Sequence, residues 1–212
     1  MLQIIYLKSI DSTQRYLKQE LQCKHLQAPI AIVADMQTAG MGSRENSWTS
    51  QEGNLFLSFA LPQEELPSDL PLASASLYFA TIMKEVLREY GSDVWIKWPN
   101  DFYCKSSKTG GMITHIVAKN IICGLGLNLK NAPNGFAVLD IDIQRDVLVE
   151  NYLKKIEEKP LWKQVFSKYK LEFYKNRGFF THKNSERLSF DDALLQEDGS
   201  LEINGERIYS LR

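Results

Sequence analysis

The chain has 212 residues, 44% of them hydrophobic, 24% charged and 11% aromatic. That ordinary globular composition excludes a disordered, collagen-like or coiled-coil chain, and the length allows one medium domain with a real core plus a small appendage. With 25 Lys/Arg against 26 Asp/Glu the net charge is −1, so bulk charge does not mark a nucleic-acid binder. Cys23, Cys104 and Cys123 are odd in number, far apart and without metal-ligand spacing. They are expected as free thiols in a reducing compartment. The start lacks a basic, long-apolar leader, and no apolar run approaches the roughly 20 residues of a membrane span. A cytoplasmic protein with no membrane partner is expected.

In chain order, Gln3–Leu7 has strand character, and Asp11-Ser12-Thr13 offers short oxygens for the N-cap of a helix over about Thr13–Leu21. Pro29–Ala34 is a continuous apolar run, hence a buried strand. Met36–Asn54 has no apolar period and predicts a long loop of the functional kind. Asn54–Leu61 returns to strand, and Pro62–Pro71 is a linker with three prolines. Apolar residues at helical spacing from Leu72 to Tyr90 predict a helix stopped by Gly91. Val94–Trp98, Phe102–Cys104, Gly111–Val117 and Ile121–Leu129 predict an antiparallel meander. Helices are expected at about Asp146–Glu158 and Leu161–Asn176, split by Pro160. From Phe179 the pattern changes to short strands, with Asn204-Gly205 as a hairpin signal. The class is α+β, with a mixed, mostly antiparallel sheet packed against helices and a small C-terminal β appendage.

Four segments could carry chemistry. In the long loop, Gln37 to Trp48 contains Gly40 and Gly42, which let backbone amides cradle an anion, and Trp48, which could close over a flat ring; alone, it also fits a plain surface loop. Lys97-Trp98-Pro99-Asn100-Asp101 follows a strand and is either ordinary turn chemistry or the mouth of a site holding Lys97 and Asp101. Lys108-Thr109-Gly110-Gly111 combines a lysine with glycines that allow close ligand approach. Residues 97–119 hold four lysines against one aspartate, which suits a phosphate-bearing small molecule or a sheet edge guarded against pairing. Gly124-Leu125-Gly126-Leu127-Asn128 removes side chains from one strand face, leaving a flat floor or a packing seat for a helix.

Together and in this order the segments resemble the biotin protein ligases. The family pattern Ser-Thr-Asn, Gln-x-x-Gly-Arg-Gly-Arg-x-x-x-x-Trp, Lys-Trp-Pro-Asn-Asp, Lys-x-x-Gly-Ile-Leu-x-Glu and Gly-x-Gly-x-Asn stands here as Ser12-Thr13-Gln14, Gln37–Trp48, Lys97–Asp101, Lys108–His115 and Gly124–Asn128. The resemblance covers roughly residues 5–130 and, more weakly, the appendage. It implies a fold like that of class II aminoacyl-tRNA synthetases and biotin ligases over 1–178, with a shortened SH3-like domain over 179–212. It implies ATP-dependent formation of biotinyl-5′-AMP and transfer of biotin to a lysine of biotin carboxyl carrier protein, as in acetyl-CoA carboxylase. Mg²⁺ would enter with ATP.

By the same resemblance, Ser12, Thr13, Gln37 and Gly40 would line the biotin pocket, with Gly111 facing the ring system. Gly42, Ser43, Arg44, Trp48 and Asn128 would hold ATP and the adenylate. Lys108 would neutralise the α-phosphate, and Asp101 would guide the acceptor amine. Three family arginines are replaced by Met41, Ser43 and Asn46, and the family glutamate by His115. Fewer loop cations are expected to weaken ligand affinity or adenylate retention unless Arg44 substitutes. The motifs begin within the first dozen residues, so the type without a DNA-binding domain or nucleic-acid partner is expected; a homodimer is left open.

The rival enzyme is a lipoate or octanoate ligase of the same fold, and the rival from another class is a non-catalytic biotin or nucleotide binder. A basic stretch at 154–177 (eight Lys/Arg, three Glu) and an acidic one at 183–206 (seven acids, two bases) are expected to complement each other or form solvated faces. Trp162, Phe166, Tyr169 and Phe173 are expected in the core.

Overall fold

The computed structural model describes residues 2–42, 46–183 and 186–209, with only the backbone at 183. Its centre is a seven-stranded sheet built from β1 (Gln3–Ile10), β2 (Ile30–Gln37), β5 (Leu55–Pro62), β6 (Trp95–Lys97), β7 (Asp101–Cys104), β8 (Ser107–Val117) and β9 (Asn120–Leu127). The strand order is β1-β2-β5-β9-β8-β7-β6. Helix α1 (Thr13–Gln22) carries the chain from β1 to the parallel strand β2, and every other pairing in the sheet is antiparallel. The sheet is therefore mixed and mostly antiparallel, as the sequence predicts. The meander from β6 to β9 follows from its short polar turns.

Strand alternation assigns the two faces. Ala31, Val33, Leu57, Phe59, Cys123, Leu125 and Leu127 point into the larger core, which α2 (Ala75–Glu89), α3 (Arg145–Glu157) and α4 (Trp162–Glu172) cover. Trp162 and Phe166 stack within it at 4.8 Å, and Tyr169 is buried. The opposite residues Ile30, Ile32, Ala60 and Ile122 meet Leu17 of α1 in a smaller cluster. With 10 residues, α1 is about 15 Å long. It cannot roof the whole face, and the part beyond its N-terminus, over β5, β8 and β9, is left for the cleft described below.

Several elements differ from expectation. The segment 36–54 is not all loop. Strand β2 runs on to Gln37, and β3 (Gly40–Met41) pairs with β4 (Ser47–Trp48) as a small hairpin. The helix predicted from Leu72 opens as a single 3₁₀ turn before α2. Likewise 173–176 is a 3₁₀ turn rather than more of α4. After the core helices come β10 (Phe180–Lys183) paired with β11 (Glu186–Ser189), then β12 (Leu194–Leu195), β13 (Leu201–Ile203) and β14 (Glu206–Ile208). The Asn204-Gly205 hairpin is present, with both residues at positive φ, which a two-residue turn of that kind requires. Phe190, Leu201, Ile203 and Ile208 bury their side chains in the same core cluster as the sheet and helices. Lys170 meets Glu197 at 2.6 Å, while Lys168 and Lys175 pair with Glu85 and Glu172. The basic stretch thus answers the acidic one only in part. Among the described residues no helix is long and apolar enough to cross a membrane. All three cysteines are free thiols.

Candidate active site

A cleft opens on the α1 face of the sheet, just beyond the helix N-terminus. Its wall takes in Ser12, Thr13 and Gln14 from α1, Gln37 from β2, Ser58 from β5, and Asp101, Lys108 and Gly111 from β7 and β8. The space is about 470 Å³ counted out to the open solvent.

The inner end is uncharged and dense in hydrogen bonds. Ser12 is the N-cap of α1, its hydroxyl accepting from the Arg15 N–H. The Thr13 N–H donates to Gln37 Oε1 at 2.9 Å and its hydroxyl donates to the same oxygen at 3.1 Å. With that proton committed, the 2.8 Å contact between Thr13 Oγ1 and Ser58 Oγ is a donation from Ser58. Ser58 interrupts a strand of otherwise apolar residues, Leu-Phe-Leu-Ser-Phe-Ala-Leu-Pro, and is fully buried. A buried hydroxyl must find a partner, so a serine in such a run was the sequence signal for this site, and the sequence reading passed over it. Gln14 stands in the Ser12-Thr13-Gln14 motif without a role attached to it there.

The outer end carries charge. The motif Lys97–Asp101 builds it residue by residue. Trp98 anchors the turn: its N–H donates to Asn176 Oδ1 at 2.7 Å and its indole N–H to the Gly199 carbonyl at 2.9 Å. Asn100 then locks the turn to β8. Its side-chain amide donates to the Met112 carbonyl, and the Met112 N–H donates back to the Asn100 carbonyl at 2.9 Å. The turn thereby delivers Asp101 to Lys108, with Oδ1 and Nζ 2.5 Å apart. Gly111 lies beside the pair, where a Cβ would stand 3.3 Å from Asp101 Oδ1. Lys97 is elsewhere, its ammonium 5.7–5.9 Å from the rings of Tyr103, Phe179 and Phe180. It belongs to an aromatic cluster rather than to the cleft mouth.

The glycine floor exists, but the protein's own side chains cover it. A Cβ on Gly126 would fall 2.7–2.9 Å from three atoms of the Trp48 indole, and one on Gly124 would fall 2.6 Å from Gln14 Oε1. Trp48 lies against Gly126, and its ring stands nearly perpendicular to that of Phe136, with ring centroids 6.3 Å apart. Both Trp48 Nε1 and Gln14 Oε1 are buried without a hydrogen-bond partner among the described residues.

Met41 and Gly42 also line the cleft. Ser43 and Arg44 lie outside the described residues. Two residues expected at the site are not in its wall. Gly40 is buried in the β3–β4 hairpin, where a Cβ would collide with the Trp48 carbonyl. Asn128 is fully buried, its amide donating to the Ala137 carbonyl at 3.2 Å. Asn54 supports the same segment, its Oδ1 accepting the N–H groups of Leu129, Lys130 and Asn131. The Ala137 N–H in turn donates to the Lys108 carbonyl at 2.9 Å. Asn128 therefore fixes the segment behind Lys108 and Phe136.

Among the described residues no group of three or more His, Cys, Asp or Glu is placed to hold a metal ion. Among the described residues the wall carries one acid, Asp101, and one base, Lys108.

A model of the biotin/lipoate A/B protein ligase family matches residues 6–128, more than half of the chain. The bifunctional ligase/repressor BirA of Escherichia coli (strain K12) is 35% identical over 133 residues, 59% of this chain and 40% of that protein. BirA of Bacillus subtilis (strain 168) is 32% identical over 143 residues, 63% of this chain and 42% of that one. The chain thus matches about two fifths of the length of these relatives. Among solved structures, the biotin acetyl coenzyme A carboxylase synthetase of Helicobacter pylori with bound biotinylated ATP superposes with a TM-score of 0.94 at 40% identity, covering 99% of this chain and 100% of that one. The biotin protein ligase of Aquifex aeolicus in complex with biotin and ATP gives 0.79 at 26% identity, covering 100% and 97%.

Proposed function

The chain belongs to the biotin/lipoate A/B protein ligase family, and from that premise we propose that it activates biotin with ATP and transfers it to a lysine of biotin carboxyl carrier protein. The observation that carries this reading is the polarity of the cleft: an uncharged, hydrogen-bonding inner end and, among the described residues, one cation, Lys108, toward the mouth. A neutral ureido head suits the first, and an activated carboxylate joined to phosphate suits the second. The H. pylori and A. aeolicus relatives, described with biotinylated ATP and with biotin and ATP, favour biotin over lipoate.

In the first step a biotin carboxylate oxygen attacks the α-phosphorus of ATP and pyrophosphate leaves. In the second the acceptor amine attacks the acyl carbon and AMP leaves. Neither step uses a protein nucleophile, so the chain contributes position and charge. Ser12, Thr13 and Gln37 hold the ureido group, and Gly111 exposes its backbone to the ring system. Gly40 shapes the hairpin that carries Gly42 and Trp48 over the ligand, and Ser43 and Arg44, between those two in the sequence, are assigned to the nucleotide by the family pattern. Asn128 positions the segment behind the nucleotide. Lys108 exchanges its contact with Asp101 for the α-phosphate, which frees Asp101 to accept a proton from, or orient, the acceptor amine. A wall with one described carboxylate suits Mg²⁺ carried in on nucleotide phosphates, where it neutralises charge.

ATP–pyrophosphate exchange, run with biotin, with lipoate and with neither acid, tests this. Biotin-dependent exchange is the expected result. Exchange with lipoate alone would move the chain to the sister activity, and none with either acid would leave a binder.

A further inference from the structure

Asn54 and Asn128, both fully buried, flank Leu55 and Leu127, the terminal rung of the β5–β9 pair. Past that rung the strand ladder stops, and the Asn54 side chain takes over its hydrogen bonding. Oδ1 accepts the N–H groups of Leu129, Lys130 and Asn131 at 3.0, 3.0 and 3.2 Å. Nδ2 donates to the Asn131 carbonyl at 2.7 Å and lies 3.5 Å from Asn128 Oδ1. Asn131 returns the link, its own amide donating to the Glu52 carbonyl at 2.9 Å. The position calls for an acceptor and a donor on one short stem, which a carboxamide offers and a carboxylate does not. Buried main-chain groups need partners, so the path of the chain over 129–131 depends on this one side chain.

The segment anchored in this way reaches the outer cleft. A turn over Pro133–Phe136, closed by the Phe136 N–H on the Pro133 carbonyl at 3.0 Å with Gly135 at positive φ, sets Phe136 against Trp48. Next, the Ala137 N–H donates to the Lys108 carbonyl at 2.9 Å, and the Leu139 N–H donates to the Asn128 carbonyl at 2.7 Å. At the far end the Asp140 carboxylate accepts the Ser92 hydroxyl at 2.5 Å and the Asp93 N–H at 2.8 Å. From this geometry we infer that Asn54, which lies outside the described cleft wall, is a positioning residue for the nucleotide half of the site. It acts through segment 128–140, fixing Phe136 and the main chain of Lys108, while Asp140 holds the other end of the same segment. The inference rests on the reading that places ATP at the Lys108 and Trp48 end. The biotin end is built independently, because Thr13, Gln37 and Ser58 bond to one another. Loosening Asn54 should therefore misplace the nucleotide and leave biotin binding as it is.

Two measurements on the same variants test this: the KM for ATP in biotin-dependent pyrophosphate exchange, and the calorimetric affinity for biotin alone. Asn54→Ala is expected to raise the KM for ATP by up to about a hundredfold, as a misplacement of about 1 Å can, with biotin affinity unaltered. Asn54→Asp keeps the acceptor for the three N–H groups and should lose less than Asn54→Ala. Asp140→Ala changes an exposed residue at the other end of the segment. It should raise the KM for ATP several-fold, again without moving biotin affinity, and it decides the matter if Asn54→Ala does not fold. Equal losses toward biotin and ATP, or an unaltered KM for ATP in Asp140→Ala or in a folded Asn54→Ala, would overturn the inference while exchange by the unmodified protein left the biotin reading standing. Absence of biotin-dependent exchange in the unmodified protein would overturn that reading, and the inference with it.

Discussion

Replacing Lys108 with alanine isolates the charge that the outer cleft supplies. Lys108 is the one cation in the described wall and is partly shielded from solvent, its side chain 25% exposed. A unit-charge pair about 4 Å apart at an effective dielectric near 20 is worth about 4 kcal/mol. Loss of a single transition-state donor elsewhere costs about 2.7–4 kcal/mol, on the order of 10²–10³ in rate. The two routes agree, so Lys108→Ala is expected to slow adenylation by that factor. The structure adds a second consequence. Asp101 now sits 2.5 Å from the ammonium, and without it the carboxylate faces the nucleotide phosphates uncompensated. Lys108→Ala is thus expected at the upper end, near 10³, and Lys108→Ala with Asp101→Asn should recover about tenfold. Biotin-dependent ATP–pyrophosphate exchange reads the first step alone, so any part Asp101 plays toward the acceptor amine does not enter. Exchange within a few-fold of normal in Lys108→Ala would refute the role of the cation. A double variant no faster than the single one would refute the electrostatic coupling.

Gly126→Ala should drive the Trp48 indole off the strand by about 1 Å, because the new methyl group would fall 2.7–2.9 Å from three ring atoms; overpacking of this kind costs about 1–3 kcal/mol. Biotin and ATP affinity should drop at least tenfold with a shift in Trp emission, and unchanged affinity would show that the covered floor does not matter. Of the three thiols, Cys23 is exposed, Cys104 is pushed up to about 11 chiefly by burial, and Cys123 is fully buried and raised well above its ordinary range. A thiol reagent at neutral pH should therefore label one cysteine quickly, and rapid labelling of two would contradict the burial of Cys104. Burial alone would raise the carboxyls of Glu85 and Glu172, yet the buried Lys84, with Lys168 and Lys175, holds both below the usual range. Groups depressed in the folded state stabilise it above their unfolded pKa, near 4.3, and that stability is lost as pH falls through the folded values. Melting temperatures between pH 3 and 7 should fall more steeply below that point than in Lys84→Met, and parallel curves would count against the ion-pair account.

Much of this molecule was legible because its signals are local. Strand and helix periods along the chain, Gly91 after a helix and Asn204-Gly205 in a hairpin each depend on a few neighbouring residues. The motif Lys97–Asp101 with Lys108 brought two charged residues to attention, and the structure joins them because Trp98 and Asn100 pin the turn between. What the chain order could not convey was which partner each polar group takes. Ser58 looks like an intruder in an apolar strand until Thr13, 45 residues earlier, is placed opposite it. Alternate glycines at 124 and 126 announce a bare strand face, but only packing reveals that Gln14 and Trp48 lie upon it. Asn128 follows those glycines in sequence, yet it is buried outside the described cleft wall with its amide donating to the carbonyl of Ala137. Gln14 and His115, 101 residues apart, look unrelated until adjacent β8 and β9 and the overlying α1 bring them to 3.2 Å. Sequence determined the elements and the residue types of the site, since those follow from covalent neighbours. Tertiary structure decided which partner each polar group takes, since every such choice depends on groups brought together only by burial.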